Sequence, residues 1–238
     1  MKKLKTMFLS IFSLVAIVIL TLGIFILIER IQDKLFVPQE YLMWIFKYPT
    51  SRLVFMYLLY VFAVFYYIFQ KKFKRILPTE AYSSKDSFLK KHRKLIFSIF
   101  IVLNIPLFYI IVTAVTVITN NKIIDYSFLS PKGREYNYND IVMIKTGVYG
   151  ERLYLPLTHS KGDFFYIIEL KDGLKIDLSE VGGVKSEEHE YFIIEDLDRQ
   201  FVNMNIPKVS SMENFDYSTE HLAEIYTDKI RNILENNN

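Results

Sequence analysis

One uncharged run limits what this chain can fold into. Residues 7–28 read MFLSIFSLVAIVILTLGIFILI, which is 22 positions without a charged side chain. At about 1.5 Å per residue, a helix of this length crosses the roughly 30 Å hydrocarbon core of a bilayer. A cleaved signal peptide has a shorter apolar region that ends at a small-residue site. This run ends in Ile28-Glu29-Arg30 instead, so it predicts an uncleaved membrane anchor.

Two further apolar runs predict a second and a third span. They are LVFMYLLYVFAVFYYIF at 53–69 and LIFSIFIVLNIPLFYIIVTAVTVIT at 95–119. In the third we assign helix packing to Asn104 and Pro106. Proline removes a backbone hydrogen bond and kinks a span, and asparagine bonds a neighbouring helix or a freed carbonyl. None of the three runs contains Asp, Glu, Lys, Arg or His, the side chains that proton relays and ion pathways normally use.

The distribution of positive charge predicts the orientation. Residues 71–94 carry nine Lys or Arg against two acids, whereas the segment between the first two spans carries four against three. The positive-inside rule therefore places the N-terminus and the basic loop in the cytoplasm, and the C-terminal part outside it. We assign topology and contact with anionic lipid to the basic side chains near the ends of this loop: Lys71, Lys72, Lys74, Arg75, Lys90, Lys91, Arg93 and Lys94. So short a run between two spans is not a nucleic-acid module.

The segment between the first two spans, residues 29–50, mixes apolar side chains with the only tryptophan, Trp44. We expect Trp44 and Tyr41 to lie at headgroup level on the outer face, where amphipathic rings are enriched. The alternative is that this segment packs against the C-terminal domain.

After residue 119 the pattern changes to short strands and turns, with 13 basic and 21 acidic side chains. Residues 163–170 and 174–178 are joined by Lys171-Asp172-Gly173, which predicts a tight hairpin. Two helices follow, one capped by Ser186 and one starting at Ser218, each with apolar residues at core-facing spacing. Strands followed by helices predict a small α+β domain.

The sequence around Asp140-Ile141, together with the FFYIIELKDGLKIDL hairpin and a helix ending near NMNIPK, resembles bacterial PH-like domains attached to membrane helices. The resemblance covers roughly residues 118–208. It implies a PH-like fold and a role in binding, assembly or envelope-stress tolerance. The predicted fold is therefore a membrane α-helical protein with three transmembrane helices, followed by a small α+β PH-like domain. Its parts are a membrane domain (1–119), a PH-like domain (120–208) and a C-terminal amphipathic helix (209–238).

No residue pattern points to chemistry. The chain has no cysteine and matches none of the common nucleotide-binding, metalloprotease or hydrolase motifs. The four histidines, His92, His159, His189 and His221, are expected to be solvated or isolated. The acids at 187–190 and 195–198 are expected to form a solvated face, or alternatively to bind a cationic partner. We therefore expect neither catalysis nor a cofactor nor a metal.

Two functions remain open from the sequence. In the first, a multi-pass protein of the bacterial cell membrane presents its acidic outer domain to a peptide, toxin, lipid or envelope protein, as an immunity or resistance protein would. In the second, it is an accessory subunit of a larger transporter or signalling complex. The lipid bilayer is a partner in both, and an oligomer is compatible with either.

Overall fold

The computed structural model of the chain describes residues 2–63, 92–151, 159–186 and 188–236. The chain divides into two compact units. The helical unit comprises Met1–Ile31 and Leu53–Val112, and the sheet unit comprises Gln32–Arg52 and Thr113–Asn238. The chain therefore passes between the two units three times.

The helical unit contains α1 (Lys2–Phe36, whose last turn belongs to the sheet unit), α2 (Thr50–Ala63, which begins as a 3-10 turn and whose residues up to Arg52 belong to the sheet unit) and α3 (Arg93–Val112). Two stretches, Val15–Phe36 and Arg93–Val112, are long and apolar enough to cross a membrane, with mean hydropathies of 2.2 and 2.7. The described residues thus hold two such helices and not the three predicted. The second predicted span, 53–69, continues beyond the described residues after Ala63.

The sheet unit consists of two sheets and three helices. One sheet has five strands in the order β4-β3-β2-β1-β8, and the other has four in the order β7-β6-β5-β9. The strands are β1 (Met43–Phe46), β2 (Val115–Ile118), β3 (Lys122–Ser127), β4 (Ser130–Asn137), β5 (Ile141–Val148), β6 (Phe164–Leu170), β7 (Lys175–Asp177), β8 (Val181–Val184) and β9 (Lys208–Ser210). The helices are α4 (Glu190–Asn203), α5 (Phe215–Thr219) and α6 (Glu224–Glu235).

The segment between α1 and α2 supplies an interior strand of the five-stranded sheet. β1 pairs antiparallel with β2 on one side and with β8 on the other. Trp44 is only 2% exposed and packs on this sheet. The expectation that Trp44 lies at headgroup level is therefore wrong. The alternative, packing against the C-terminal domain, is the arrangement found, because the pairing of β1 buries the indole.

The third apolar run also ends earlier than predicted. Its helix stops at Val112, and the β-branched residues that follow form β2, which is buried throughout. Strand β2 looks like the end of a span because an interior strand is also continuously apolar. The C-terminal part of the sheet unit therefore begins at Thr113 and not at residue 120.

The predicted hairpin is confirmed, because β6 and β7 pair antiparallel and Gly173 has a φ of +83°. Both helix starts were misplaced. α4 begins at Glu190 with His189 at its N-cap, and α6 begins at Glu224 after the short α5. Helix α6 is not an appendage, since Ile230 and Ile233 are fully buried in the main core.

Candidate functional site

A cleft of about 360 Å³ opens between the two sheets of the sheet unit. One wall is the C-terminal end of β1, and the other is the edge strand β7 with part of β6. The side chains that give the cleft its chemistry are cationic, aromatic and aliphatic: Lys47, Tyr48, Tyr149, His159, Ile167 and Lys175. These residues come from five separate parts of the chain, so the fold alone brings them together.

Three rings form one end of this cleft. His159 stacks on Tyr149 with a centroid distance of 4.4 Å and an interplanar angle of 8°. Tyr48 lies 5.3 Å from the same imidazole, and its side chain is accessible, with the residue 42% exposed. The stacked faces provide a rigid apolar surface beside polar ring atoms, which suits an amphipathic or aromatic ligand group.

A half-buried carboxylate, that of Glu180, holds the aromatic end of the cleft in position. Glu180 accepts two hydrogen bonds from Arg52 Nη2, at 2.8 and 2.9 Å, and its side chain is 11% exposed. His159 Nδ1 lies 3.6 Å from Glu180 Oε1. The Arg52 guanidinium carbon lies 5.7 Å from the centre of the Tyr48 ring. Glu180 thus connects the first turn of α2 to the loop that carries His159.

The cation next to β1, Lys47, is held by a second carboxylate, which is buried. Lys47 Nζ lies 2.8 Å from Asp125 and donates to the carbonyl of Tyr126 at 3.1 Å. Thr116 Oγ1 donates to Asp125 Oδ1 at 2.8 Å. The ammonium is therefore positioned by its own sheet before any ligand arrives.

The opposite wall offers unpaired backbone. β7 is the first strand of the four-stranded sheet and pairs only with β6 within the described part of the chain. The carbonyl of Asp177 already accepts from Glu180 N at 3.3 Å, and the other outer N–H and C=O groups of β7 are a template for an added strand. An extended peptide along this edge would place alternate side chains into the cleft.

The predicted acidic segment 195–198 does not form a solvated face. Glu195 and Asp198 are 5% and 1% exposed. Asp198 accepts from Tyr166 Oη at 2.7 Å and pairs at 2.6 Å with Lys208, whose side chain is fully buried. Lys208 in turn donates to the carbonyl of Ile233 in the last turn of α6 and to that of Asn236, the C-cap of α6. The expectation for residues 195–198 is therefore wrong, because these acids hold α6 in place.

Burial is the largest cause of the pKa shifts of Lys208 and Tyr166. Burial lowers the pKa of the Lys208 ammonium, and the neighbouring Asp198 opposes this shift. Burial and the Asp198 carboxylate both raise the pKa of Tyr166 well above its usual value. Asp198, Lys208 and Tyr166 are bonded to other groups of the sheet unit, so we assign them a role in stability and not in ligand binding.

Most of the side chains assigned to topology, from Lys71 to Lys91, lie outside the described residues. Arg93 and Lys94 are exposed at the start of α3. Asn104 Nδ2 donates to the carbonyl of Phe100 at 2.8 Å and lies 3.5 Å from Tyr60 Oη on α2, while Pro106 lies inside α3. The role of Asn104 and Pro106 in helix packing stays a prediction.

No protein-family model, no curated protein and no solved structure matches this chain significantly. Within the described ranges, no group of three or more His, Asp and Glu side chains comes together to hold a metal ion.

The sequence did not predict the cleft. His159 was treated as an isolated loop residue, and nothing in the sequence pairs it with Tyr48, which is 111 positions earlier.

Proposed function

We propose that this chain is a non-catalytic, multi-pass protein of the bacterial cell membrane that captures an extended peptide on its outer face. In this proposal α1, the 53–69 segment and α3 are three spans, and the sheet unit is a PH-like binding domain. The two long apolar helices support the spans. The two sheets, followed by α4, support the PH-like assignment.

The cleft beside the open edge of β7 carries the binding proposal. A peptide that adds to β7 gains backbone hydrogen bonds from the edge, and side chains entering the cleft give selectivity. The stacked His159 and Tyr149 rings form a floor for an aromatic or aliphatic side chain, with Tyr48 at the mouth. This combination of edge and pocket favours a peptide over a compact small molecule.

The net charge of the sheet unit favours a cationic peptide, because the two lysines that line the cleft are each paired with a carboxylate, Lys47 with Asp125 and Lys175 with Glu169. The sheet unit carries 16 Lys and Arg against 23 Asp and Glu, for a net charge of −7. Such a field raises the encounter rate with positive ligands. A segment of an envelope protein or a membrane-active peptide toxin has this character, which agrees with a role in immunity or resistance.

The anchor favours capture at the membrane surface. β1 is an interior strand, and chain crossings at residues 31/32 and 52/53 bracket it. The binding unit therefore cannot leave the membrane segments without losing an interior strand. Confinement to two dimensions raises the effective concentration of the cleft for a ligand that also gathers at the bilayer.

Photo-crosslinking in intact cells tests this proposal. A benzophenone amino acid replaces Lys175 at the mouth of the cleft, and a control chain carries it at Lys171 on the neighbouring exposed turn. We expect a light-dependent adduct at position 175, absent at 171, that contains a peptide of an exported protein. A third chain with Ile167→Arg blocks the cleft wall and is expected to lose the adduct.

Equal labelling at both positions, or labelling that survives Ile167→Arg, would contradict binding in the cleft. A compact lipid as the only adduct would assign the same cleft to a different class of ligand. The peptide proposal would then be wrong.

A further inference from the structure

The three chain crossings lie at one end of the sheet unit. β1 runs from Met43 beside Ile118 to Phe46 beside Val115, and then leads to the crossing after Arg52. β2 starts at this same end, two residues after the crossing before Thr113. Phe36 in the last turn of α1 packs on Tyr126, the neighbour of Val115 in the β2–β3 register, at 5.0 Å. We call this the crossing end.

The β3–β4 hairpin turns at the crossing end. In the β2–β3 pairing Thr116 faces Asp125, and continuing this register sets Phe128 level with Thr113. Ser127 pairs with Ser130, so Phe128 and Leu129 form the tip. The turn at the far end of β3 holds Asn121, about 20 Å away for a strand of six residues.

The tip is apolar and unburied. Phe128 is 48% exposed and Leu129 is 76% exposed, the largest exposed fraction of any large hydrophobic residue in the described part of the chain. Tight turns usually carry Gly, Asn, Asp or Ser, because these residues suit turn geometry and water. The far turn obeys this rule with Asn120 and Asn121. Solvation and turn geometry therefore do not explain the two large side chains at the tip.

Other residues at the crossing end share this character. Leu35 in the last turn of α1 is 65% exposed. Lys132, two residues past the turn, is exposed. Aliphatic and aromatic side chains beside a cation are the composition of segments that lie at the boundary between lipid headgroups and acyl chains.

We propose that the Phe128–Leu129 tip inserts into the bilayer leaflet on its own side of the membrane, with Lys132 at the headgroups. This inference rests on the proposed membrane anchoring and deepens it. Because the chain connects to the proposed spans at the crossing end, this end lies near the bilayer. The inserted tip then attaches the sheet unit to the membrane a second time, without a covalent bond. The unit is thereby kept from rotating about its chain connections, which fixes the direction in which the cleft opens.

The natural absence of cysteine makes a site-specific depth measurement possible. The full chain with Leu129→Cys carries an NBD fluorophore, and a matched chain carries it at Asn121→Cys. Both are reconstituted into phosphatidylcholine–phosphatidylglycerol vesicles containing lipids with a shallow doxyl quencher. We expect several-fold stronger quenching and a blue-shifted emission at position 129 compared with position 121.

Equal, weak quenching at the two positions in vesicles that float with the protein would overturn the tip insertion while leaving the anchoring intact. Failure of the protein to float with the vesicles would overturn both. A blue shift at position 129 without quenching would show that the tip is covered by protein, either a second copy or another region, and would also overturn the proposal. Since Leu129 is exposed, its replacement should not disturb the fold.

Discussion

The indole of Trp44 lies against the backbone of Gly182. A β-carbon added at Gly182 would lie 2.1 Å from Trp44 Cζ3, and one added at Gly183 would lie 2.6 Å from Trp44 Nε1. The two glycines of β8 thus make room for the only tryptophan of the chain. This contact locks β1, the strand that interrupts the helical unit, into the sheet unit.

Gly182→Ala should destabilise the sheet unit by about 1–3 kcal/mol, because the added methyl overpacks a filled site. Denaturant unfolding in detergent, followed by circular dichroism, measures the change. In a Trp44→Leu background the same substitution should cost less, since the ring that it meets is gone. A cost that is equal in both backgrounds would show that the contact with Trp44 is not the cause.

A fragment that begins at residue 113 should not fold by itself. It retains β2 and β8 but lacks β1, which pairs with both of them. Two strand edges would then be exposed in the middle of the sheet, and such edges aggregate. We expect the 113–238 fragment to aggregate in size-exclusion chromatography, and a synthetic peptide of residues 40–50 to restore a soluble monomer. A peptide with Trp44→Lys serves as the control and should not rescue.

The Lys208–Asp198 pair should be essential for docking α6. Lys208→Met leaves the Asp198 carboxylate buried without its cation and should cost about 3–5 kcal/mol in the free energy of unfolding. Lys229→Met is the matched control, because Lys229 pairs with Glu195 at 2.8 Å but is 24% exposed in its side chain. Glu195 also keeps its contacts with Arg199 and Asn232, so this change should cost about 1 kcal/mol. Similar costs for both variants would contradict a special role for the buried pair.

The sheet unit should lose stability in acid through Glu195. Burial acts to raise the pKa of this carboxyl, but hydrogen bonds from Lys229, Asn232 and Arg199 outweigh it and lower the pKa below its usual 4.5. The folded state thus favours the ionised form, so its contribution is complete above pH 4.5 and is lost as the pH falls through the folded pKa. Unfolding free energies measured from pH 6 to pH 3 should fall on the acid side of pH 4.5. Glu195→Gln should flatten this fall, whereas removal of the exposed carboxylate in Glu213→Gln should leave it unchanged.

The sequence predicted local features better than distant ones. The β6–β7 hairpin was predictable because Asp172-Gly173 sets the turn within a few residues. The structure of residues 113–119 was not predictable. A run of Val, Ile and Thr is apolar enough for a span and β-branched enough for a buried strand. Hydropathy alone does not separate these cases, and the pairing with β1 decides between them.

The cleft could not be predicted from the sequence for a related reason. Its rings, Tyr48, Tyr149 and His159, meet only because β1 inserts between β2 and β8, some 70 and 140 residues further along the chain. Each residue alone looks like an ordinary loop or strand-end side chain. By contrast, the aromatic residue that looked functional, Trp44, is a packing residue. In the sequence, Phe128 and Leu129 simply extend the apolar run that begins at Ile123, and nothing marks them as a turn.

The central claim, a binding unit on the outer face of the membrane, is tested most directly by cysteine accessibility in intact cells. The claim predicts that Asn121→Cys reacts with a membrane-impermeant maleimide, while Ser84→Cys in the basic loop reacts only after permeabilisation. Reaction at position 84 and protection at position 121 in intact cells would reverse the topology. The cleft would then face the cytoplasm, and an exported peptide could not be its ligand.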